Sequence, residues 1–461
     1  MKRSGSILPA SAIALALALT GPAQAQSSEA ARIKELEQKL ERSLELINQL
    51  SSKIDKIEQA SAGVREAQNK TAQQAAKIEA IERHVSELGS GLSRRSADEG
   101  LPIHGFLDVG GVKSNESNPT FTGRKGASIG TFGLYLAPQF SERVKALVEL
   151  VFEVNDDGDV LTDLERAQIG YTFSDVATAW LGRFHTPYGY WNTAFHHGAQ
   201  IQTSIMRPRF LDFEDKGGIL PAHTVGGWLT GATNMGSTKL GYDLYLGNAP
   251  QIGGTATGSA LATAHPGGFS AAANAGTYAG SGSLNMRQGG STSHRSLVGF
   301  NTWAEPAAVD GLRLGLHGLS ADIIDNTADI NRTRLNMFGG YFAYLGDPWE
   351  VLGEYYRFRN KDRSGGTGVH SSWAGYTQVG YNIGKWTPFA RAERTKLDQT
   401  DNYFGVQASG RSYKRIAAGL RYDVDPKAAL KVEFNSTRKE DLGPGIADKY
   451  PEFRVQYAIR F

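Results

Sequence analysis

Two different spacings of hydrophobic residues divide this chain. From Ser28 to Leu92 apolar residues recur at steps of three and four, without proline. From about Gly100 to Phe461 apolar and polar residues alternate in short segments separated by turns. Steps of three and four form a stripe on an α-helix, whereas alternation forms one face of a β-strand. The pattern predicts a helical arm at 28–92 and an all-β domain at 100–461.

The helical segment has the spacing of a coiled coil. A second heptad frame begins at Val64, and the shift between frames equals a three-residue stammer. Isoleucine at most a positions with mixed Leu and Ile at d favours a trimer over a dimer. The alternative is one amphipathic helix folded back onto the β domain, but the narrow seam and charged flanks favour self-association. The first seam consists of Ile33, Leu36, Leu40, Ile47, Leu50, Ile54 and Ile57.

The β domain is predicted to contain sixteen strands. Short turns and long polar loops alternate strictly between them, which is typical of outer-membrane barrels. With an even strand number both ends of the barrel lie on the short-turn side, so the arm is expected in the periplasm. The predicted strands are 103–112, 126–136, 142–153, 163–173, 177–185, 224–233, 238–247, 294–302, 311–320, 334–344, 349–359, 371–383, 386–396, 411–423, 428–438 and 450–461.

The last strand has the clearest alternation. Phe453, Val455, Tyr457, Ile459 and Phe461 alternate with Arg454, Gln456, Ala458 and Arg460. Such an edge strand would aggregate in a soluble protein, so closure against the first strand is expected and a soluble β-sandwich is disfavoured. The predicted fold is a 16-stranded antiparallel transmembrane β-barrel preceded by a periplasmic α-helical coiled coil. A terminal aromatic also resembles the signal by which bacterial outer-membrane barrels are recognised for insertion.

Composition narrows the function classes. The 461 residues include 49 Lys+Arg, 47 Asp+Glu and no Cys. Absence of Cys excludes disulfide scaffolds and Cys-ligated metals, and the balanced charge argues against a nucleic-acid partner. After the first 20 residues no run of about 18 apolar residues could form a membrane-spanning helix. A β-barrel remains compatible, because its apolar surface is hidden in alternation.

Residues 1–25 are predicted to be a secretory signal peptide. Lys2 and Arg3 precede an apolar core, and small residues at Ala23 and Ala25 form a cleavage site. Gln26 instead of Cys argues against a lipoprotein anchor. A retained membrane anchor is the alternative, although the apolar core is too short to span a bilayer.

The inward strand phase carries many charges. A barrel of sixteen strands leaves an aqueous channel, so passive diffusion of small hydrophilic solutes is expected. On the last four strands, the inward phase carries six basic residues, including Arg460, and three acidic residues, Glu393, Asp423 and Glu433. Rings of Arg and Lys favour anions, so we expect a modest preference for phosphate or organic acids. The alternative for each charge is a solvated wall residue. The predicted pore wall is Arg166, Arg391, Arg415, Arg421, Lys431 and Arg454.

The third long loop, 186–223, is too long and aromatic for a simple connector. If the loop folds inward, it would narrow the pore and place its arginines opposite its carboxylates. The alternatives are a loop packed on the rim and a trimer contact. The predicted constriction and solute-binding residues are Arg207, Arg209, Asp212, Glu214, Asp215 and His196.

The histidines of this region raise the question of a metal. His185, His196, His197 and His223 lie in or beside the loop. A His-His pair without spaced carboxylate or Cys partners is a weak indication, so structural histidines are favoured and no metal or cofactor is predicted. The Gly/Ala/Ser-rich segment from Asn248 to Gly290 is expected to be a mobile external loop, in part disordered.

Two segments resemble known porins. Leu164–Tyr171 (LERAQIGY) and Leu181–Gly189 (LGRFHTPYG) are similar to a strand and the start of the constriction loop in the phosphate-selective porin superfamily and in related dicarboxylate-type trimeric porins with an N-terminal coiled coil. The resemblance implies a homotrimer of basic-lined pores in the outer membrane of a Gram-negative bacterium, with membrane lipid and small anionic or polar solutes as partners. The loop departs from phosphate-specific members by lacking a lysine cluster, so phosphate specificity is not implied.

Two other functions compete with a porin. Ser204, His196 and Asp212 could be forced into a catalytic triad, but polar loops contain such trios by chance, and the chain is predicted not to be an enzyme. The second is a non-conducting barrel that acts as a structural tether between outer membrane and cell wall.

Deletion of residues 28–92 tests the accessory role of the arm. We expect the barrel still to insert into membranes but to form weaker trimers, because the coiled coil adds self-association without contributing strands. Membrane fractionation and native electrophoresis report the two properties separately. Loss of insertion would contradict the accessory role.

Overall fold

The structure is a computed structural model. It describes residues 103–114, 125–154, 160–196, 198–214, 218–253, 283–285, 295–325, 332–363, 367–405, 407, 410–440 and 449–461, together with Glu45 and Lys53. Glu45 and Lys53 are helical and exposed. The predicted signal peptide, the rest of the arm, the boundary near Gly100, His197 and Asp215 lie outside the described residues and stay predictions. Within the described segments, no helix is both long and apolar enough to cross a membrane.

The β domain is a closed antiparallel barrel. The described residues form eighteen strands, and sixteen of them make up the ring; the short β8 and β9 do not belong to it. In the ring β7 pairs with β10, and β1 pairs with both β2 and β18. The predicted sixteen-stranded barrel is confirmed, and each predicted strand overlaps one of the ring. The strands are β1 (Ile103–Ser114), β2 (Gly126–Leu136), β3 (Val144–Val154), β4 (Val160–Ser174), β5 (Ala177–His185), β6 (His223–Met235), β7 (Thr238–Asn248), β8 (Gln251–Gly253), β9 (Ser283–Asn285), β10 (Ser296–Pro306), β11 (Leu312–Asp325), β12 (Arg332–Leu345), β13 (Trp349–Asp362), β14 (Val369–Tyr381), β15 (Trp386–Lys396), β16 (Tyr413–Asp425), β17 (Ala428–Lys439) and β18 (Lys449–Arg460).

The first and last strands close the ring. Their register runs from Phe106 opposite Arg460 to Ser114 opposite Glu452. Beyond that ladder, Phe461 N donates to Gly105 O at 2.9 Å, and Gly105 N donates to Phe461 O at 3.0 Å. The predicted closure therefore gives the final strand a partner on both sides, which removes the exposed edge.

The barrel distributes its side chains in the opposite way to a water-soluble protein. Large apolar residues point outward, among them Leu181, Ile416 and Leu246, which are 69%, 66% and 63% exposed. Charged residues such as Arg391 and Lys431 point inward and are 1% exposed. Soluble proteins bury apolar side chains and almost never bury charges fully. The outward phase predicted for β18 is confirmed, since Phe453, Val455, Tyr457 and Phe461 are exposed.

The Gly/Ala/Ser-rich segment contributes more than expected. β8 pairs with β9 antiparallel, and Gln251 at the start of β8 also pairs in parallel with Ile324 of β11. Ile252 and Leu284 are buried. The segment expected to be a mobile external loop, in part disordered, therefore contains two short paired strands, while residues 254–282 and 286–290 lie outside the described segments. Neither strand is long enough for alternation to appear in the sequence.

Substitution of Gly110 on β1 tests the closure. A Cβ added there would lie 2.1 Å from the carbonyl oxygen of Val455 on β18, so the backbone must shift. We expect Gly110→Ala to destabilise the barrel by about 1–3 kcal/mol, the usual cost of overpacking, seen as a lower midpoint of thermal unfolding in detergent. In the control Gly227→Ala, the nearest atom to the new Cβ is a Leu181 side-chain atom at 3.5 Å. Equal stability of the two variants would contradict the seam geometry.

Candidate functional site

The described residues between β5 and β6, 186–196, 198–214 and 218–222, fold into the barrel. This segment contains a single helical turn, Trp191–Ala194, and a 3₁₀ turn, Arg209–Leu211. Its backbone contacts inward side chains of β13, β15, β16 and β17, which lie up to 232 residues further along the chain. We call this segment the inner loop. The inward position expected from the sequence is observed, and packing on the rim is excluded.

Buried carboxylates on alternate strands accept hydrogen bonds from the backbone N–H groups of the inner loop. The backbone N–H and C=O groups of the wall strands pair with one another, so an irregular segment inside the barrel needs side chains as further hydrogen-bond partners. Charge-assisted bonds of this kind are stronger than bonds between neutral groups. The donors are Tyr190 N (3.1 Å) and Trp191 N (2.7 Å) to Glu354 of β13, Arg209 N (2.8 Å) to Glu393 of β15, and Ile205 N (2.5 Å) and Met206 N (3.1 Å) to Glu433 of β17.

Buried basic residues of the wall bind the carbonyl groups of the same loop. Arg391, Arg421 and Lys431 were predicted as pore wall, and the structure places all three on the inward face. Each of the three also donates hydrogen bonds to the loop, so these wall residues help to hold the inner loop in place. The bonds run from Arg391 to Met206 O (2.8 Å) and Arg207 O (3.3 Å), from Arg421 to Gln200 O and Gln202 O (2.9 Å), and from Lys431 to Ala199 O and Ser204 O (3.2 Å).

The remaining predicted wall residues also point inward. Arg166 forms a fully buried ion pair with Glu149, with Nε to Oε2 at 2.6 Å. Arg415 donates from Nε to the amide oxygen of Asn435 at 3.1 Å. Arg454 pairs with Glu452, and its side chain keeps 20% of its surface exposed. Arg454 is therefore a wall charge that water can reach.

Arg207 and Glu214 of the predicted constriction have hydrogen-bond partners within the loop and at its two ends. Arg207 is buried over the ring of Phe213, 4.1 Å from its centroid, and donates to Asn192 Oδ1 at 3.2 Å. Glu214 accepts a hydrogen bond from His223 N at 2.8 Å. Arg207 and Glu214 thus hydrogen-bond to different groups, and the opposition of arginines and carboxylates across the pore stays a prediction.

Arg209, Asp212 and His196 complete the described part of this set. The Arg209 guanidinium is half-buried and donates to Tyr450 OH at 2.6 Å. Asp212 Oδ1 accepts from Phe213 N at 3.0 Å. His196 is buried where the loop begins, with Nδ1 3.0 Å from Asn192 Oδ1. Asp215, the sixth predicted residue, is outside the described segments.

Burial shifts the pKa values of the loop's ionisable groups. It lowers the pKa of Arg207, and nearby Asp212 and Tyr188 act in the opposite direction. Burial alone would raise the pKa of Glu214, but the charge and hydrogen bonds of His223 outweigh it and hold that pKa below its usual value. Burial also raises the pKa of Tyr190, so its hydroxyl stays protonated. The loop therefore keeps fixed charges at neutral pH.

Aromatic side chains fill the space between the inner loop and β13 and β14. Trp191 meets Tyr376 edge to face at 5.7 Å between centroids, and Phe210 meets Tyr356 at 5.4 Å. From another long connection, Tyr403 donates its hydroxyl hydrogen to Ile219 O at 2.5 Å. Sequence reasoning missed this cluster and its central acceptor Glu354. The available signal was the inward phase of Glu354, Tyr356 and Tyr376.

The trio considered for catalysis is not assembled. Ser204 Oγ donates to Met206 O at 2.9 Å and accepts a hydrogen bond from Arg391 at 2.9 Å. The two imidazole nitrogens of His196 face Asn192 and His223. A nucleophile requires a base within hydrogen-bond reach, and Ser204 instead contacts a permanently charged guanidinium.

Comparisons with known proteins identify the architecture. No family model matches the chain, and no curated protein matches it. The structure is similar to the outer membrane channel DcaP of Acinetobacter baumannii, with a TM-score of 0.50 and 13% identity over 80% of this chain and 100% of that one. An anion-selective porin from Comamonas acidovorans gives 0.49 and 13% over 78% and 99%. OmpF of Salmonella typhi, in complex with daunomycin, gives 0.47 and 14% over 78% and 97%. At this identity, the likeness to DcaP shows that the chain has the same barrel fold.

Glu354→Gln tests the anchoring of the inner loop. Each carboxylate oxygen of Glu354 accepts one backbone N–H and one tyrosine hydroxyl. An amide NH₂ group cannot accept, so at least one loop N–H loses its partner, at a cost of about 1–3 kcal/mol. We expect faster cleavage of the inner loop in limited proteolysis and a lower unfolding midpoint.

Glu440→Gln is the matched control for this substitution. Glu440 is 3.4 Å from Lys414, and its side chain is 37% exposed, so its loss should cost little. If Glu354→Gln and Glu440→Gln resist protease equally, Glu354 does not hold the loop.

Proposed function

We propose that the chain forms a water-filled channel in the outer membrane of a Gram-negative bacterium, through which small hydrophilic solutes diffuse passively. The observation that carries this proposal is the closed ring with apolar side chains outside and charged side chains inside. Closed barrels satisfy all backbone hydrogen bonds within the sheet, so they can span lipid. A sixteen-stranded ring has room for water in its interior. The inner loop would act as the constriction.

The fold comparison supports the same function. DcaP is described as an outer membrane channel, and its whole length aligns with this chain. The predicted secretory signal and the alternation of short turns with long loops agree with export to that membrane.

A modest anion preference follows from the partners of the inward cations. Lys431 donates to backbone carbonyls of the inner loop, and Arg415 donates to the amide oxygen of Asn435. Neutral acceptors satisfy these donors without cancelling their charge, so these two side chains would add positive potential to an interior that also holds ion pairs. Positive side chains lining a pore favour anions. Phosphate and small organic acids are therefore the solutes we propose.

Trimer formation and the periplasmic arm complete the proposal. The heptads of residues 28–92 favour a three-stranded coiled coil. Both ends of a sixteen-stranded barrel lie on the short-turn side, so the arm of each of the three barrels would extend into the periplasm. Membrane lipid would contact the outward apolar surface of the trimer.

Single-channel recording of the purified full chain in a planar bilayer tests the function. We expect conductance steps in groups of three and a reversal potential, under a salt gradient, that indicates anion preference. Silence in the bilayer would overturn the channel and favour the non-conducting tether. A cation-selective reversal potential would retain the channel and overturn its selectivity.

Arg454→Glu tests whether inward charge sets the selectivity. The substitution changes the charge by two units, and each unit near a water-filled path changes the energy of an ion by up to ~1 kcal/mol, so the anion-to-cation permeability ratio should fall by at least about twofold. Lys414→Glu makes the same charge change on the outward phase of β16, where Lys414 is exposed. Equal shifts in the two variants would contradict selection by the inward wall.

A further inference from the structure

Three histidines and a glutamate meet where the inner loop leaves and rejoins the wall. His185 ends β5, His223 begins β6, His196 lies in the loop between them, and Glu165 is on β4. All four side chains are buried, and one potential ligand atom from each lies within 4.8 Å of the others. In a tetrahedral zinc site with bonds of roughly 2.0–2.2 Å, ligand atoms lie about 3.4 Å apart. The four residues are therefore near the spacing that zinc requires.

Hydrogen bonds fix the protonation of His196. The amide nitrogen of Asn192 donates to Thr186 O at 2.8 Å and to Ala222 O at 3.3 Å. Its amide oxygen must therefore face His196 Nδ1, 3.0 Å away. An amide oxygen only accepts, so Nδ1 carries the proton. In the neutral form of the ring, Nε2 is the unprotonated nitrogen and faces the cluster.

His223 is held in the same way by Glu214. The Glu214 carboxylate accepts from His223 N at 2.8 Å, and its other oxygen is 3.1 Å from His223 Nδ1. A carboxylate facing Nδ1 leaves Nε2 as the nitrogen that points into the cluster.

The two Nε2 atoms face each other at a separation of 3.0 Å. The Glu165 carboxylate contacts His223 Nε2 and lies 3.8 Å from His196 Nε2. The ring of His185 stacks on that of His196, with centroids 3.4 Å apart. His185 Nε2 lies 3.3 Å from Glu149 Oε2, which leaves its Nδ1 as the other possible ligand atom. The facing Nε2 atoms of His196 and His223 and the Glu165 carboxylate repel one another unless a cation lies between them. A shared proton or a metal ion can fill that role.

We propose that His185, His196, His223 and Glu165 bind a divalent transition-metal ion, with zinc as the best fit. Imidazole and carboxylate ligands suit zinc, and three histidines with one carboxylate complete a four-coordinate site. Histidines that bind metals donate their other N–H to a carboxylate or carbonyl group, which is the arrangement of His223 with Glu214 and His196 with Asn192. The ion would fasten both ends of the inner loop to the wall.

The proposal goes beyond the channel function and can fail separately from it. The histidines were expected to be structural because the His-His pair has no carboxylate or Cys partner at metal-ligand spacing in the sequence. Glu165 supplies that carboxylate from β4, which pairs with β5.

Metal content tests the site directly. The full chain, purified in detergent, is stripped with a chelator, incubated with zinc, dialysed and measured by mass spectrometry. We expect about one zinc ion per chain and a higher unfolding midpoint with zinc than without it. His196→Gln and His223→Gln should each hold at least about tenfold less zinc. His370→Gln, whose contacts are with Asp398 and Thr367, should retain it.

A variant of Asn192 tests the orientation of the ligand His196 without removing the ligand itself. Asn192→Ala leaves the four ligands in place but removes the acceptor of His196 Nδ1, so zinc affinity should fall by about 10- to 100-fold. If the histidine variants do not fold, the cobalt form of the wild type decides: intense visible bands indicate four-coordinate cobalt. Sub-stoichiometric zinc in the wild type, zinc retained by the histidine variants, or a weak octahedral cobalt spectrum would overturn the site and leave a shared proton as the cation.

Discussion

The structure depends on one constraint: the backbone of the inner loop has to find hydrogen-bond partners inside a closed barrel. The wall uses its own N–H and C=O groups in strand pairing, and bonds within the loop, such as Ala194 N to Tyr190 O, satisfy only part of its backbone, so wall side chains supply further partners. Carboxylates of β13, β15 and β17 accept from loop N–H groups, while cations of β15, β16 and β17 donate to loop carbonyls. Charge of both signs on the inward face is thus required by the loop, whatever solute passes.

Arg391 and Glu393 show how closely wall and loop are coupled. They are two residues apart on the inward phase of β15, and Arg391 Nε donates to Glu393 at 2.8 Å. Each also binds the loop, Arg391 at Met206 O and Glu393 at Arg209 N. Removing one member of a buried pair leaves the other charge uncompensated, which costs several kcal/mol. A change on this strand therefore alters the wall and the loop together.

Features that repeat within a single strand could be predicted from the sequence. Alternation in β18 identified the strand, its outward phase and its closure, because every other residue repeats the same preference. β8 and β9 were missed because three residues cannot display a period. The arm and its trimer remain predictions, since of residues 28–92 only Glu45 and Lys53 are described.

Contacts between distant segments were the part that could not be predicted. Alternation placed Arg391 and Lys431 on the inward face but did not indicate that loop carbonyls would be their partners. Glu354 lies more than 160 residues from the N–H groups whose hydrogen bonds it accepts, and its inward phase alone does not identify those partners. Glu165 likewise meets His223 only because strand pairing brings β4, β5 and β6 side by side.

The separation of the inner loop from its anchors also sets an order of assembly. The loop follows β5, but Glu354, Glu393 and Glu433 belong to β13, β15 and β17. Until those strands have joined the sheet, the loop has no acceptors for Trp191 N, Arg209 N or Ile205 N. The constriction is consequently a late structure that forms only as the last third of the chain completes the ring. Because β1 pairs with β18, the ring is also open until these strands have joined, so the closed wall and its constriction are completed together.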